Sequence, residues 1–198
     1  MSKKIVALVF VFSFLQDYYF TQNDFLSFNA NRNRLQQNGM LFLGGWSIVN
    51  MGSGAIGMIN TEGSTKHFHQ MNAMWNSVNF GLALSGYLSA RKENFENYSL
   101  YETLNKQRNI SNAFLFNSAL NFTYIGTGFF LKERSLTNFN QKELLKGWGN
   151  SLILQGSFLL VFDLTNYISH QFNRKRNLDP KVKAISLNPQ HLGFVIHL

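Results

Sequence analysis

Long uncharged stretches alternate with short islands of charge along this chain. No Asp, Glu, Lys or Arg occurs in residues 35–61, 67–90, 109–131 or 147–162. A helix needs about 20 residues to cross the ~30 Å hydrocarbon core of a bilayer. The first three stretches reach that length, and the fourth reaches it if Asp163 lies inside the helix or near its end. The pattern therefore predicts four membrane-spanning helices, at about 40–59, 67–90, 109–131 and 147–170.

The polar residues inside these stretches are mainly Asn, Ser, Thr and Gly. Helices of a water-soluble bundle usually carry a charged outer face with i, i+4 pairs, which is missing here. Membrane helices instead use small and amide residues to approach and hydrogen-bond one another. A Phe-rich soluble bundle is the alternative, and the mean hydropathy of −0.12 is compatible with it. We expect an all-α, integral membrane four-helix bundle.

The helix predicted at 67–90 carries two neighbouring stripes. Asn72, Asn76 and Asn79 recur at helical spacing on one side, and we expect them to form interhelical hydrogen bonds worth about 0.6 to 2 kcal/mol each. The alternative is a polar cavity that binds a small amphipathic ligand, such as a quinone or a lipid headgroup. Small residues recur every fourth position beside this stripe and predict close helix packing: Ala73, Ser77, Gly81, Ser85 and Ser89.

The helix predicted at 147–170 carries an ionisable pair on one face. Asp163 and His170 lie two turns apart, about 10 Å along the helix axis, with Asn166 between them. An ionisable group inside a membrane helix is costly and indicates function, here proton transfer or cation binding. The structural alternative is an ion pair with an arginine: Arg91, Arg108 or Arg174. The candidate ligand- or proton-handling residues are thus Asp163, Asn166, His170, Asn72, Asn76 and Asn79.

The two ends of the chain predict targeting and surface segments. Lys3 and Lys4 precede a short apolar run, which is typical of an export signal, although no A-x-A cleavage triplet follows. We expect residues 1–22 to be a signal peptide or an N-terminal anchor helix, followed by a polar lead-in. An exported N-terminus conflicts with the positive-inside rule, so the orientation stays open. The remaining predicted segments are the lead-in at 23–38, the basic C-terminal tail at 172–198 and, within it, a short strand or surface segment at 192–198.

The net charge of +8 is spread over every predicted loop, as membrane-flanking Lys and Arg would be. A nucleic-acid-binding protein would concentrate basic and aromatic residues on one face. The chain has no cysteine, which excludes disulfides and thiolate chemistry. His67 and His69 point about 200° apart on a helix, so we favour a hydrogen-bonding role for them over a metal or haem site. No catalytic motif is present, and we expect no catalytic residue, metal or cofactor.

The segments NRNRLQQNG, MLFLGGWSIVNMGSGAIGM and FHQMNAMWNSVN resemble an uncharacterised family of small membrane proteins found mainly in Bacteroidetes-type bacteria. The resemblance is best in residues 32–90, and it implies an N-terminal signal, four spans and a multi-pass location in the inner (cytoplasmic) membrane. It implies no catalytic residue. We expect a structural or accessory component whose partners are the lipid bilayer and another membrane protein or a second copy, but not nucleic acid. The alternative is a small-ligand or ion- or proton-handling membrane protein, or an enzyme, that uses the polar bundle interior.

Overall fold

The computed structural model describes the backbone of residues 3–186 and the side chains of residues 25–184, and in these residues it is all-helical, without a strand. The four long helices are α1 (Lys3–Asn60), α2 (Gly63–Lys92), α3 (Leu100–Thr137) and α4 (Lys142–Asn177). A 3₁₀ turn, Phe139–Gln141, precedes α4, and a short helix, α5 (Asp179–Ser186), follows it. The all-α prediction is confirmed for these residues, whereas the segment predicted at 192–198 lies outside them.

The helices extend well beyond the uncharged stretches that predicted them. Residues 23–38, predicted as a polar lead-in, are part of α1, and no proline precedes Pro180 to interrupt that helix. Helix α3 begins inside the predicted loop at a capping box. The Glu102 backbone N–H donates to the Ser99 hydroxyl at 3.3 Å, and the Ser99 backbone N–H donates to Glu102 Oε2 at 2.8 Å. Charged residues therefore occupy the ends of the helices as well as the loops.

The bundle consists of two helical hairpins. Helix α1 packs along α2, and α3 packs along α4, because a short connection joins the helices of each pair. The hairpins join mainly through α2 and α4, and α1 also contacts α4. The backbones of α2 and α3, although consecutive in the chain, approach each other closely at almost no position. A cleft therefore separates them.

Glycines mark the closest approaches between helices. A Cβ on Gly128 of α3 would lie 2.7 Å from the Gly149 carbonyl oxygen of α4, and a Cβ on Gly149 would lie 2.6 Å from the Gly128 carbonyl oxygen. Gly54 of α1 has the same role against α2, because its Cβ would lie 2.9 Å from the Cβ of Ala73. Any larger residue at these positions would push two backbones apart.

Most of the row of small residues on α2 does not mark a close approach to another helix within the described chain. Ala73 contacts α1 at Gly54, but Ser77, Gly81 and Ser85 are exposed. A Cβ on Gly81 would meet no described atom within 4 Å. Close helix packing at these three exposed residues therefore stays a prediction. The neighbouring asparagine stripe lies on the side of α2 that faces the bundle interior.

The bundle has a polar interior and an apolar surface. Most of the buried side chains are polar, and Asn76, Gln155 and His170 are among those that are completely buried. Many of the large exposed side chains are apolar, including Val49 and Phe172. Water-soluble proteins bury mainly apolar side chains and keep most polar ones at the surface. The prediction that the polar stripes turn inward is confirmed for the asparagines of α2.

Two stretches of the described chain are long and apolar enough to cross a membrane, Phe25–Asn60 and Phe139–Ala184. The segments predicted at 67–90 and 109–131 lie in α2 and α3. These two helices are not apolar enough to meet the same criterion for a membrane span, because Asn and Ser lower their mean hydropathy. Two of the four long helices could therefore span a membrane on length and composition.

Candidate functional site

The cleft between α2 and α3 has a volume of about 350 Å³. Helices α2 and α3 form its walls, while residues of α1 and α4 form its floor. Val78 and Leu82 of α2 line it and are 63% and 62% exposed, so they mark an open mouth on the outer surface of the bundle. Its volume lies in the range of small-molecule sites.

Asp163 of α4 lies on the floor of the cleft and is only 5% exposed. The Asn121 side chain of α3 donates from Nδ2 to Asp163 Oδ2 at 2.7 Å. Among residues 25–184, no Lys, Arg or His forms an ion pair with Asp163, and Arg174 pairs with Asp179 instead. The predicted alternative of an arginine partner is therefore wrong for the described chain. A buried carboxyl group thus faces the cleft without a counter-cation from the described residues.

Two further polar groups on residues that line the cleft have no hydrogen-bond partner among the described residues. These are the donors Asn79 Nδ2 and Trp75 Nε1, both buried on α2. The Trp75 ring meets Tyr124 edge to face, with 4.7 Å between the ring centroids. The cleft thus combines a carboxyl group with aromatic faces. Such a lining suits a small molecule with a polar head group.

Asn72 and Asn76 belong to a different region, which we call the amide network. Asn72 Nδ2 donates to Asn50 Oδ1 at 2.9 Å, and Gln155 Nε2 donates to Asn72 Oδ1. Trp46 Nε1 donates to Gln155 Oε1 at 3.1 Å, while Asn76 Nδ2 donates to the Asn72 carbonyl at 2.8 Å. These bonds join α1, α2 and α4. The predicted interhelical hydrogen bonding is therefore confirmed for Asn72.

Asn166 and His170 do not line the cleft, although they share a face of α4 with Asp163. Asn166 Nδ2 donates to the Phe162 carbonyl at 2.8 Å, and the Asn166 side chain fills the space beside Gly39 of α1. The His170 ring is completely buried and stacks on Phe114, with 5.7 Å between the ring centroids. Neither nitrogen of the His170 ring has a described partner. The six candidate residues thus separate into four places.

A polar cluster around Glu93, just after α2, was not predicted. Arg32 Nη2 donates to Glu93 Oε1 at 2.9 Å, Tyr98 Oη donates to the same oxygen at 2.9 Å, and Asn33 Nδ2 donates to Oε2 at 3.0 Å. Burial acts to raise the pKa of Glu93. The hydrogen bond and charge of Arg32, with the bonds from Tyr98 and Asn33, outweigh burial and hold that pKa below its usual value.

A second cavity, of about 410 Å³, extends the cleft toward this cluster. The two cavities share Met40, Phe114 and Asn117. The far end of the second cavity is lined by Arg32 and Glu93. A groove therefore runs along the gap between α2 and α3, from the Trp75 ring to the end of α2.

The fold and the groove define a helical bundle with a polar interior and a laterally open ligand-sized cleft. The chain belongs to the family of unknown function DUF6992, whose model matches residues 42–164. That segment runs from α1 to just past Asp163, so it includes both walls of the cleft and the amide network. No curated protein and no solved structure matches the chain. The expectation of an uncharacterised family is confirmed, and this membership brings no activity with it.

Proposed function

We propose that this protein is a multi-pass protein of the bacterial inner membrane, in which α1 to α4 form four spans. The polar interior beneath an apolar surface is the observation that carries the proposal. In water, so much exposed apolar surface would drive association. In lipid, the same side chains would face acyl chains while the amides bond to one another.

The moderate mean hydropathy of α2 and α3 is compatible with this proposal, because their polar residues face inward. Asn76 of α2 and Ser118 of α3 are buried, whereas Val78, Phe116 and Phe122 are more than half exposed. Mean hydropathy counts every residue of a helix equally, although only the outer face would contact lipid. The outer faces of α2 and α3 are thus more apolar than the helices as a whole.

Single-cysteine labelling tests the topology, since the chain contains no cysteine. Thr61→Cys, Asn97→Cys and Asn140→Cys place one thiol in each connection between the long helices. Four spans predict that an impermeant maleimide labels Thr61→Cys and Asn140→Cys from one side and Asn97→Cys from the other. Two spans, α1 and α4 only, would place all three thiols on one side. Release of the wild-type protein by alkaline carbonate would contradict membrane insertion altogether.

Within the membrane, the cleft favours a small-ligand-handling role over a purely structural or accessory one. A structural bundle gains most when every buried polar group has a partner, because an unsatisfied group costs about 1 to 3 kcal/mol. Asp163 faces the cleft without a described cation, and Asn79 Nδ2 and Trp75 Nε1 of the same lining residues have no described hydrogen-bond partner. A bound molecule would supply the partner for Asp163 that the described residues do not.

Native mass spectrometry of the membrane-extracted protein tests this role. We expect an added mass on the wild-type protein that disappears in Asp163→Asn. Asp179→Asn is the matched control, since Asp179 lies in α5 and pairs with Arg174. An added mass that persists in Asp163→Asn, or none in mildly extracted wild type, would favour the structural role.

A further inference from the structure

We infer that the cleft between α2 and α3 binds an amphipathic molecule with an ammonium head group. Its alkyl chain would leave through the mouth of the cleft into the lipid. The inference deepens the proposed ligand-handling role and rests on the membrane location, because an alkyl chain leaving this mouth needs an apolar surrounding.

Charge complementarity is the first argument. Asp163 lines the cleft almost completely buried, one of its oxygens accepts from Asn121, and no described cation pairs with it. A buried carboxylate requires an opposite charge or a proton. An ammonium group supplies the charge, and its N–H groups also hydrogen-bond the carboxylate directly.

The aromatic lining is the second argument. Trp75 and Tyr124 pack edge to face on one side of the cleft, and Phe114 and Phe162 pack edge to face on another, with 6.3 Å between the latter centroids. Aromatic faces attract organic cations, most strongly where water is excluded. A carboxylate among aromatic rings favours an organic ammonium group over a hydrated metal ion, which prefers several oxygen ligands.

The other charged groups of the groove line its second cavity and are separate from Asp163. Arg32 and Lys106 share one carboxylate, Glu93, at 2.9 and 3.8 Å, and Arg32 Nε and Nη1 have no described partner, so an anionic group would favour that cavity rather than the first. Asp163 lines the first cavity without a described cation.

The mouth of the cleft fits the alkyl chain. Val78 and Leu82 of α2 and Leu120 of α3 line the cleft between Asp163 and the outer surface. They contribute only apolar side chains. A single alkyl chain lying against them would continue directly into the surrounding lipid.

A cysteine-protection experiment on the purified full-length protein in a neutral detergent tests the inference. Val78→Cys places the chain's single thiol at the mouth, where N-ethylmaleimide labelling can be followed by intact mass. The probes are dodecylammonium, dodecan-1-ol and dodecanoate, which share one alkyl chain. We expect dodecylammonium to protect Val78→Cys at concentrations about 10 to 100 times lower than dodecan-1-ol, as expected for a hydrogen bond to a charged group. Dodecanoate should protect least.

Matched variants separate the head-group contact from non-specific binding. Phe122→Cys, on the exposed face of α3, should not be protected by any probe. In the Val78→Cys background, Asp163→Asn should remove the preference for the amine, and Asp163→Glu should retain part of it. Asp179→Asn is the control and should leave the preference unchanged. Trp75→Leu provides a second route if Asp163→Asn does not fold. It should weaken protection by the amine more than protection by the alcohol.

The outcomes that overturn the inference are distinct from those that overturn the membrane location. Equal protection by amine and alcohol, or an amine preference that survives Asp163→Asn, rules out the ammonium site. Neither result changes carbonate extraction or loop labelling of the wild-type protein, which test the membrane location separately.

Discussion

The amide network and the cleft are both polar regions inside the same bundle, but the network is the better bonded of the two. In the network, Asn72 contacts Asn50 and Gln155, so three helices share one set of hydrogen bonds, and Asn76 Oδ1 is left without a described partner. In the cleft, Asp163 contacts Asn121 but has no described cation. This difference underlies the proposal that the network stabilises the bundle and that the cleft binds a ligand.

Gln155→Leu should give the largest loss of stability, because it removes acceptors and donors at the centre of the network. Trp46 would lose its acceptor, and Asn72 and Asn50 would lose a donor. At about 1 kcal/mol for each hydrogen bond between membrane helices, we expect the free energy of unfolding to fall by about 2 to 3 kcal/mol. Unfolding in mixed micelles with increasing SDS measures it, and Val49→Ala on the exposed face is the control. An unchanged unfolding midpoint would contradict a structural role for the network.

Asp163→Asn should behave in the opposite way when no ligand is bound. The substitution removes an unpaired buried charge, while the new amide oxygen can still accept from Asn121. We expect the free energy of unfolding to stay constant or to rise by about 1 kcal/mol. The same SDS titration measures it. A loss as large as that in Gln155→Leu would mean that Asp163 supports the fold, which would remove the contrast between the two regions.

The cluster around Glu93 is also held by several hydrogen bonds, although Arg32 Nε and Nη1 have no described partner, and its stability should depend on pH. The pKa of Glu93 is lower in the folded protein than its usual value of about 4.5. Its contribution is therefore fully present above pH about 4.5 and is lost as the pH falls through the lowered pKa. Thermal unfolding in detergent should be measured from about pH 6 down to about pH 3. The melting temperature should fall more steeply with pH for wild type than for Glu93→Gln. Parallel curves would show that the ion pair with Arg32 adds nothing.

The sequence was sufficient to predict the helices and the burial of the Asn72 stripe, because both depend on local spacing. The start of α3 was also predictable, since Ser99 and Glu102 have the spacing of a capping box. The partners of Asp163 and Arg32 could not be predicted from the sequence. Asn121 and Glu93 are distant from them in the chain, and only the packing of the hairpins determines which of several polar groups comes within hydrogen-bond distance.

The exposed side of α2 provides the smallest expected effect. The bundle side carries the asparagines of the network and cleft, whereas Gly81 lies in the exposed row and would meet no described atom with an added Cβ. Gly81→Ala should therefore leave stability unchanged or raise it by about 0.5 to 1 kcal/mol, through the better helix propensity of Ala. Gly54→Ala is the matched control and should destabilise, because its Cβ would lie 2.9 Å from Ala73 Cβ. If Gly81→Ala instead lowers stability, and the loss depends on protein concentration, the exposed row of small residues contacts a second chain. Helix α2 would then have two packing faces rather than one.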